Sequence, residues 1–284
     1  MDDGDKIEFF FILLKAVIII LQVYLTFKYQ GDNISLKDKI SVIIPTYNRA
    51  KSIIDSINSV LKQTYHNLEI IIIDDCSTDN TESLISNLDD DRIKYIRLEE
   101  KKGANFARNE GIKMATGKYI TFQDSDDLYH LDKIETQYKN LIKKKSDFDF
   151  CKVCLHFNNS FEVIFPRKSQ HKQIVRKKIL DELCNGNFIS TQSIFAKNEV
   201  IKDNLFDINF PRLQDYDLVL RILPKYRTSY SKQVLVDLYR KNDSIGNDNK
   251  KLNRSFHLLS LKKYNINCKN NSFLSSIIKK IKYF

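Results

Sequence analysis

The sequence predicts an α/β fold: a mostly parallel sheet with helices on both faces. Three observations predict it. Short runs of continuous apolar and β-branched residues recur along the first half of the chain, as strands buried on both faces require. Stretches with apolar residues at helical spacing lie between them. Polar and charged residues crowd directly after those strands, where ligands bind in parallel sheets of this kind.

Taken in order, Ser41-Val42-Ile43-Ile44-Pro45 reads as the first strand. Residues 50–63 read as a helix, through Ile53, Ile54, Ile57, Val60 and Leu61. Glu69–Ile73 is the second strand, and Asp79–Leu88 a helix with Thr78 or Asp79 near its N-cap. Ile93–Leu98 is a strand, Ala104–Ala115 a helix stopped at Gly117, and Lys118–Phe122 a strand. Residues 128–200 are less patterned, with strands expected at Phe148–Phe157 and Ser193–Ala196. A helix opens at Leu213 with Asp215 and Asp217 in its first turn, where a helix dipole favours acids. A last strand runs from Val234 to Tyr239.

Composition narrows the function. The chain has 284 residues and a net charge of +10, but residues from Asn249 onward hold nine basic and no acidic side chains. The body is therefore near neutral, no nucleic-acid motif stands out, and a nucleic-acid groove is not needed to explain the charge. The five cysteines, an odd number without a secretory cleavage site, suggest reduced thiols. Cys151 and Cys154 form a CxxC inside an apolar run, without a second pair at zinc-site spacing, and read as buried small residues, with metal or redox use the minor alternative.

Both ends point to a membrane. Ile7–Phe27 is apolar over 21 residues, long enough to span a bilayer, to lie in its interface or to dock on a partner through its apolar sides, with membrane association the favoured reading and Glu8, Lys15 and Gln22 on one helical stripe. Acids before it and Lys28, Lys37 and Lys39 after it place the rest of the chain on the cytoplasmic side. Residues 273–284 set Phe273, Leu274, Ile277, Ile278, Ile281 and Phe284 on one helical face with lysines beside them, a pattern suited to a membrane surface or, alternatively, to a helix packed on the α/β domain. The expected organisation is 1–38 as a membrane-associating helix and linker, 39–248 as an α/β domain with a strongly patterned half, 39–127, and a less patterned half, 128–248, and 249–284 as a basic tail with an amphipathic helix.

The most informative stretch is Gln123-Asp124-Ser125-Asp126-Asp127, three carboxylates at the end of a strand. Like charges this close repel, and a hard divalent cation, Mg²⁺ or Mn²⁺, relieves them. The competing explanation is an acidic turn that caps a following helix, and Asp127 itself reads as the start of that helix. Nearby strand ends deliver Thr46, Tyr47 and Arg49, and Asp74 and Asp75. Neither GxGxxG nor a P-loop is present.

Five blocks in order resemble family 2 of the glycosyltransferases, inverting enzymes of GT-A fold. They are Ser41–Arg49, Ile72–Asp79, Gly103–Gly111, Gly117–Asp127 and Gln214–Arg221. The resemblance implies that 39–248 is the catalytic domain, a Rossmann-like nucleotide-binding sheet over 39–127 fused to an acceptor-binding half over 128–248. It also implies transfer of a sugar from a nucleotide-diphospho-sugar, UDP-linked by expectation, to a glycan or glycolipid hydroxyl. Carried over residue by residue, it makes Asp124 and Asp126 the DxD-type metal ligands, with Asp126 the surer one. Pro45, Thr46, Tyr47 and Arg49 would contact the nucleotide, with Tyr47 packing on the base. Asp75, preferred over Asp74, would read the base. Arg108, Ser125 and Arg240 would lie along the donor, and Asp215 would be the catalytic base. Asp217 is expected to pair with Arg221, four residues on. Two departures stand out. Cys76 occupies a position where the family usually has Gly, which is a problem if φ is positive there. Asn242 or Asp243 stands where a His is common. The rival readings are a non-catalytic glycosyltransferase-like subunit that binds nucleotide or a partner, hinted at by Cys76, and a nucleotidyltransferase, which lacks its Gly-rich loop here.

Overall fold

The structure is a computed structural model that describes residues 35–157, 161–175, 179–184, 186–240, 249–262 and 264. The expectations for 7–27, 242–243 and 273–284 lie outside the described residues. β1 (Ile40–Thr46), β2 (Leu68–Asp74), β3 (Ile93–Arg97) and β4 (Tyr119–Phe122) form the parallel half of a nine-stranded sheet in the order β3-β2-β1-β4. Each continuous apolar run became one of these strands. β1, β2 and β4 are buried along their whole length, as covered parallel strands must be.

Helices between them supply the cover. α1 (Ile53–Leu61) buries Ile53, Ile57 and Val60 completely, each removal from water worth about 1.5–3 kcal/mol. α2 (Thr81–Ser86) follows β2, and α3 (Ala104–Met114) follows β3. Gly111 lets α3 lie directly on β1, because a Cβ there would meet Ile43 Cγ2 at 2.6 Å.

The second half of the sheet is mixed. β8 (Ile194–Lys197) pairs antiparallel with β4, and β6 (Phe148–Phe157) antiparallel with β8. β9 (Thr228–Arg240) runs parallel to β6 and is capped by the two-residue β5 (Leu128–Tyr129). β7 (Phe161–Phe165) closes a hairpin on β6. α4 (Lys133–Lys144), α5 (Lys168–Val175), α6 (Ile179–Leu183) and α7 (Asn198–Lys202) connect these strands. α8 (Gln214–Ile222) carries the acids expected in a helical first turn.

Four differences from the sequence reading are informative. No helix follows Asp127: Leu128 and Tyr129 form a strand against Val236 and Asp237, and the next helix starts at Lys133. The acidic motif is therefore not a helix cap. The strand expected at 234–239 is longer, starting at Thr228. The basic stretch begins with α9 (Asn249–Leu261), which packs on the domain through the fully buried Leu259. Just beyond it, Lys262 Nζ meets Asp217 at 2.7 Å and Asp207 at 2.8 Å. Asp217, fully buried, also pairs with Arg221 as expected, at 2.9 Å. Finally, Cys76, Cys151 and Cys154 are free thiols, whereas Cys184 is in a disulfide, so the expectation of reduced thiols fails at that position.

Candidate active site

The parallel order β3-β2-β1-β4 puts the carboxyl ends of β1, β2 and β4 on one edge. Chain order reverses between β1 and its neighbours β2 and β4, and the crevice at such a switch point is where open α/β sheets bind ligands. The loops at that edge are tied together. After β1, Asn48 N–H donates to Ser77 Oγ (2.9 Å), Arg49 N–H to Thr81 Oγ1 (2.9 Å) and Ala50 N–H to Asp79 Oδ2 (3.1 Å), so the first two loops move as one.

The expected site residues occupy this edge. Pro45 and Thr46 end β1, both buried. Tyr47 lies half-buried with Lys101 Nζ over its ring at 3.6 Å, so loops after β1 and β3 meet across a flat aromatic face. Asp74 has both oxygens engaged inside the fold, by Ser77 N–H at 2.8 Å and Tyr95 O–H at 2.7 Å. Asp75 accepts from Lys102 N–H (2.6 Å) and Gly103 N–H (2.8 Å), which draws the third loop over the first two. Cys76 adopts φ +68°, the left-handed geometry that makes Gly the usual choice. Its β-carbon is strained there, and Cys76→Gly is expected to stabilise the fold by about 0.5–1 kcal/mol. The relieved strain of roughly 1–2 kcal/mol exceeds glycine's extra chain entropy. Cys76→Ala, which keeps the β-carbon, should show no such gain in denaturant midpoint.

The acidic motif separates into distinct roles. Asp124 is held by Arg108 Nη2 at 2.7 Å and by Gln192 Nε2 at 2.6 Å. Asp126 keeps about a third of its side chain exposed and meets Arg49 Nη2 at 3.4 Å, an ion pair that spans the β1–β4 crevice. Ser125 between them is buried. Asp127 is buried as well, accepting from Gln192 Nε2 (2.7 Å) and Tyr239 N–H (3.0 Å). Burial, with Asp124 and Asp126 nearby, pushes its carboxyl well above the usual carboxylate range. Gln192 escaped sequence reasoning: it lies in a short 3₁₀ turn, Thr191–Ser193, with no motif around it.

Asp215 reaches the same edge from α8. Leu213, directly before α8, takes φ +58° and so redirects the chain into the helix. Asp215 accepts from Tyr216 N–H at 2.8 Å. Burial pushes its carboxyl from 3.8 up to about 6; Arg108 opposes the rise and Asp124 adds to it, which puts all three in one electrostatic neighbourhood. Arg240 ends β9, and its side chain lies outside the described part. Two polar atoms at the edge, Thr46 Oγ1 and Arg108 Nε, are buried without a hydrogen-bond partner. Buried polar atoms of this kind are the exception in folded proteins and mark places where a ligand can bind.

A parallel first half, a mixed second half and a rim of carboxylates and arginines at the switch point are the architecture of a glycosyltransferase of GT-A fold. Residues 41–203 match Glycosyl transferase family 2, and the chain belongs to that family. Among curated relatives, it is 39% identical over 189 residues to an uncharacterised glycosyltransferase of Rickettsia conorii, covering 66% of this chain and 30% of that protein. The chain thus spans about a third of that relative's length. It is 34% identical over 186 residues to the UDP-Glc:alpha-D-GlcNAc-diphosphoundecaprenol beta-1,3-glucosyltransferase WfgD of Escherichia coli, covering 65% of this chain and 69% of that one. In fold it resembles S. aureus TarS 1-349, crystallised with UDP-GlcNAc, at a TM-score of 0.69 and 20% identity over 87% of this chain and 73% of the other.

Proposed function

We propose that this chain is a metal-dependent, inverting glycosyltransferase. It would move a sugar from a UDP-linked donor to a hydroxyl of a lipid-linked glycan, in the synthesis of a cell-surface polysaccharide or lipooligosaccharide. The observation that carries the reading is the match of residues 41–203 to Glycosyl transferase family 2, with Asp215 in one neighbourhood with Arg108 and Asp124 at the edge of the sheet. Burial pushes the carboxyl of Asp215 up, to about 6, the direction that suits a general base.

Donor binding follows from the edge. Tyr47 offers the uracil a flat ring backed by Lys101. Asp75 is the base-reading acid, and Thr46 Oγ1 has hydrogen-bonding capacity to spare. Arg49 and Arg108 face the diphosphate. The donor set also suits Mg²⁺ or Mn²⁺, which favour carboxylate oxygens. Asp126 would hold the ion, because its side chain is about a third exposed and its pair to Arg49, at 3.4 Å, is long. Asp124 would support it from behind, since both of its oxygens are already engaged by Arg108 and Gln192. When bound, such an ion neutralises charge that builds on the departing diphosphate. Asp215 takes the proton from the acceptor hydroxyl as that oxygen attacks the anomeric carbon from the face opposite the leaving group, so configuration inverts.

The E. coli relative's name includes a diphosphoundecaprenol acceptor, which supports a glycolipid acceptor here. Action at the cytoplasmic face of a membrane, through residues 7–27, belongs to the same proposal. Among the described residues no helix is long and apolar enough to cross a membrane.

A panel of nucleotide-sugars with Mn²⁺ or Mg²⁺, scored by nucleotide release with and without lipid-linked acceptors, tests the reading. Release from no donor under either ion would leave a non-catalytic subunit. A pH prediction accompanies it. The carboxylate of Asp215 is the active form, so kcat/KM should fall about tenfold per unit below pH ~6, rather than below ~4 as for an ordinary Asp. The limb should vanish in Asp215→Asn.

A further inference from the structure

A second cluster of chemistry-bearing side chains lies on the β6–β7–β9 part of the sheet. Among the described residues, Cys154, His156 and Glu162 each place a ligand atom within 4.8 Å of the others. Strand geometry explains why. Side chains two apart on a strand share a face, so β6 sets Cys154 and His156 on the same side. In the hairpin His156 stands opposite Glu162, and across β9 Cys154 stands opposite Asp237. His156 Nδ1 lies 3.0 Å from Glu162 Oε1, and Cys154 Sγ lies 3.6 Å from Glu162 Oε2.

The far side of the imidazole is informative. His156 Nε2 lies 2.9 Å from Asp237 Oδ1, and the ring stacks on Tyr239 at 4.9 Å between centroids. A carboxylate on the distal nitrogen fixes the tautomer and ring orientation of a metal-ligating histidine and raises the basicity of the ligating nitrogen. Asp237 is itself held, its Oδ2 lying 3.0 Å from His130 Nε2. Exposure grades outward, from 6% for Cys154 through 19% for the His156 side chain to 64% for that of Glu162, so an ion can enter from solvent onto buried ligands. Cys151, the other half of the CxxC, is not in the group.

We propose that Cys154 Sγ, His156 Nδ1 and the Glu162 carboxylate form a Zn²⁺ site, with water as the fourth ligand. Thiolate and imidazole select Zn²⁺ over the hard cations suited to the acidic rim. On binding, the Cys154 thiol releases its proton to solvent and a sulfur–zinc bond forms in place of the thiol's hydrogen bond to Glu162. Two anionic ligands then balance the ion's charge. The site shares no ligand with Asp124 or Asp126. It would clasp the β7 hairpin arm to β6, on the same sheet face as Asp237. Two residues on, Tyr239 gives its N–H to Asp127.

The test uses the untagged full chain, stripped with a chelator and titrated with Zn²⁺ and with Co²⁺ as a spectroscopic probe. The expected result is one tightly bound Zn²⁺ per chain and a thiolate-to-Co²⁺ charge-transfer band. That band should persist in Cys76→Ser and Asp126→Ala but be lost in Cys154→Ser. Asp237→Asn should weaken Zn²⁺ binding by about 10–100-fold. Glu162→Gln, at an exposed position that the fold tolerates, should weaken it at least as much, so the test stands even if Cys154→Ser fails to fold. Absence of the band in the wild-type chain would overturn the proposal. So would Zn²⁺ affinity unchanged in both Glu162→Gln and Asp237→Asn.

Discussion

Asp215→Asn is expected to lower kcat by about 10²–10⁴-fold, the range that a positioned general base contributes. That corresponds to about 2.7–5.4 kcal/mol at 1.36 kcal/mol per decade. The substitution preserves shape, and the amide oxygen can still accept from Tyr216 N–H. Only the proton-accepting charge is lost. Donor KM should therefore change little, because the substitution leaves the proposed donor contacts at Tyr47, Arg49, Asp75 and Arg108 in place. The structural alternative is that Asp215 is an ordinary first-turn acid of α8. Under that alternative, stability falls modestly, activity falls in step with it, and the acid limb near pH 6 survives. Steady-state kinetics across pH separate the two. A variant that keeps more than a tenth of wild-type turnover would remove Asp215 from the mechanism.

Asp126→Ala is expected to lower kcat/KM by about 10³-fold or more, because the metal's contribution to a leaving diphosphate amounts to several kcal/mol. The side chain is about a third exposed and its pair to Arg49 is long, so the unfolding midpoint should stay close to wild type. Asp124→Ala should behave differently. It strands the buried guanidinium of Arg108, whose side chain is only 4% exposed, and it removes a partner from Gln192. Loss of activity should then come with loss of stability, since a buried charge without its partner is costly. Measuring Mn²⁺ affinity alongside thermal unfolding distinguishes a ligand from a support. Unaltered Mn²⁺ binding in Asp126→Ala would place the ion elsewhere.

Much of the first half was legible because its information is local. A strand covered on both faces must be apolar throughout, so Val42–Ile44 and Ile70–Ile73 declare themselves without reference to the rest of the chain. Helices covering that sheet must show an apolar stripe, and α1 does. Polar residues after such strands then fall on one edge by topology. The second half was harder to read. Its strands are mixed in direction, β5 has only two residues, and the β7 arm has no burial pattern on both faces to announce it.

The expectation that Asp127 begins a helix shows the limit most clearly. The local pattern, an acid before a short apolar run, suits a helix N-terminus equally well. What overrules it is β9, whose Tyr239 lies 112 positions away and donates to Asp127, while Val236 and Asp237 pair with the next two residues. Gln192, 68 positions from Asp124, was invisible for the same reason: an isolated glutamine carries no periodicity and acquires a role only from what it touches.

By itself, then, the sequence determined that this chain builds a parallel sheet with an acidic, arginine-bearing rim, because burial and turn chemistry are written in short-range patterns. Only the tertiary structure decided what each of the rim's carboxylates touches. Arg108 and Gln192 hold Asp124, Asp127 is locked to β9, and Asp126 pairs with Arg49. It also decided that Asp215 stands in the field of Arg108 and Asp124, and that Cys154 meets His156 and Glu162 rather than Cys151. Those outcomes depend on the register of strands far apart in the chain, and register is set by the packing of the whole sheet.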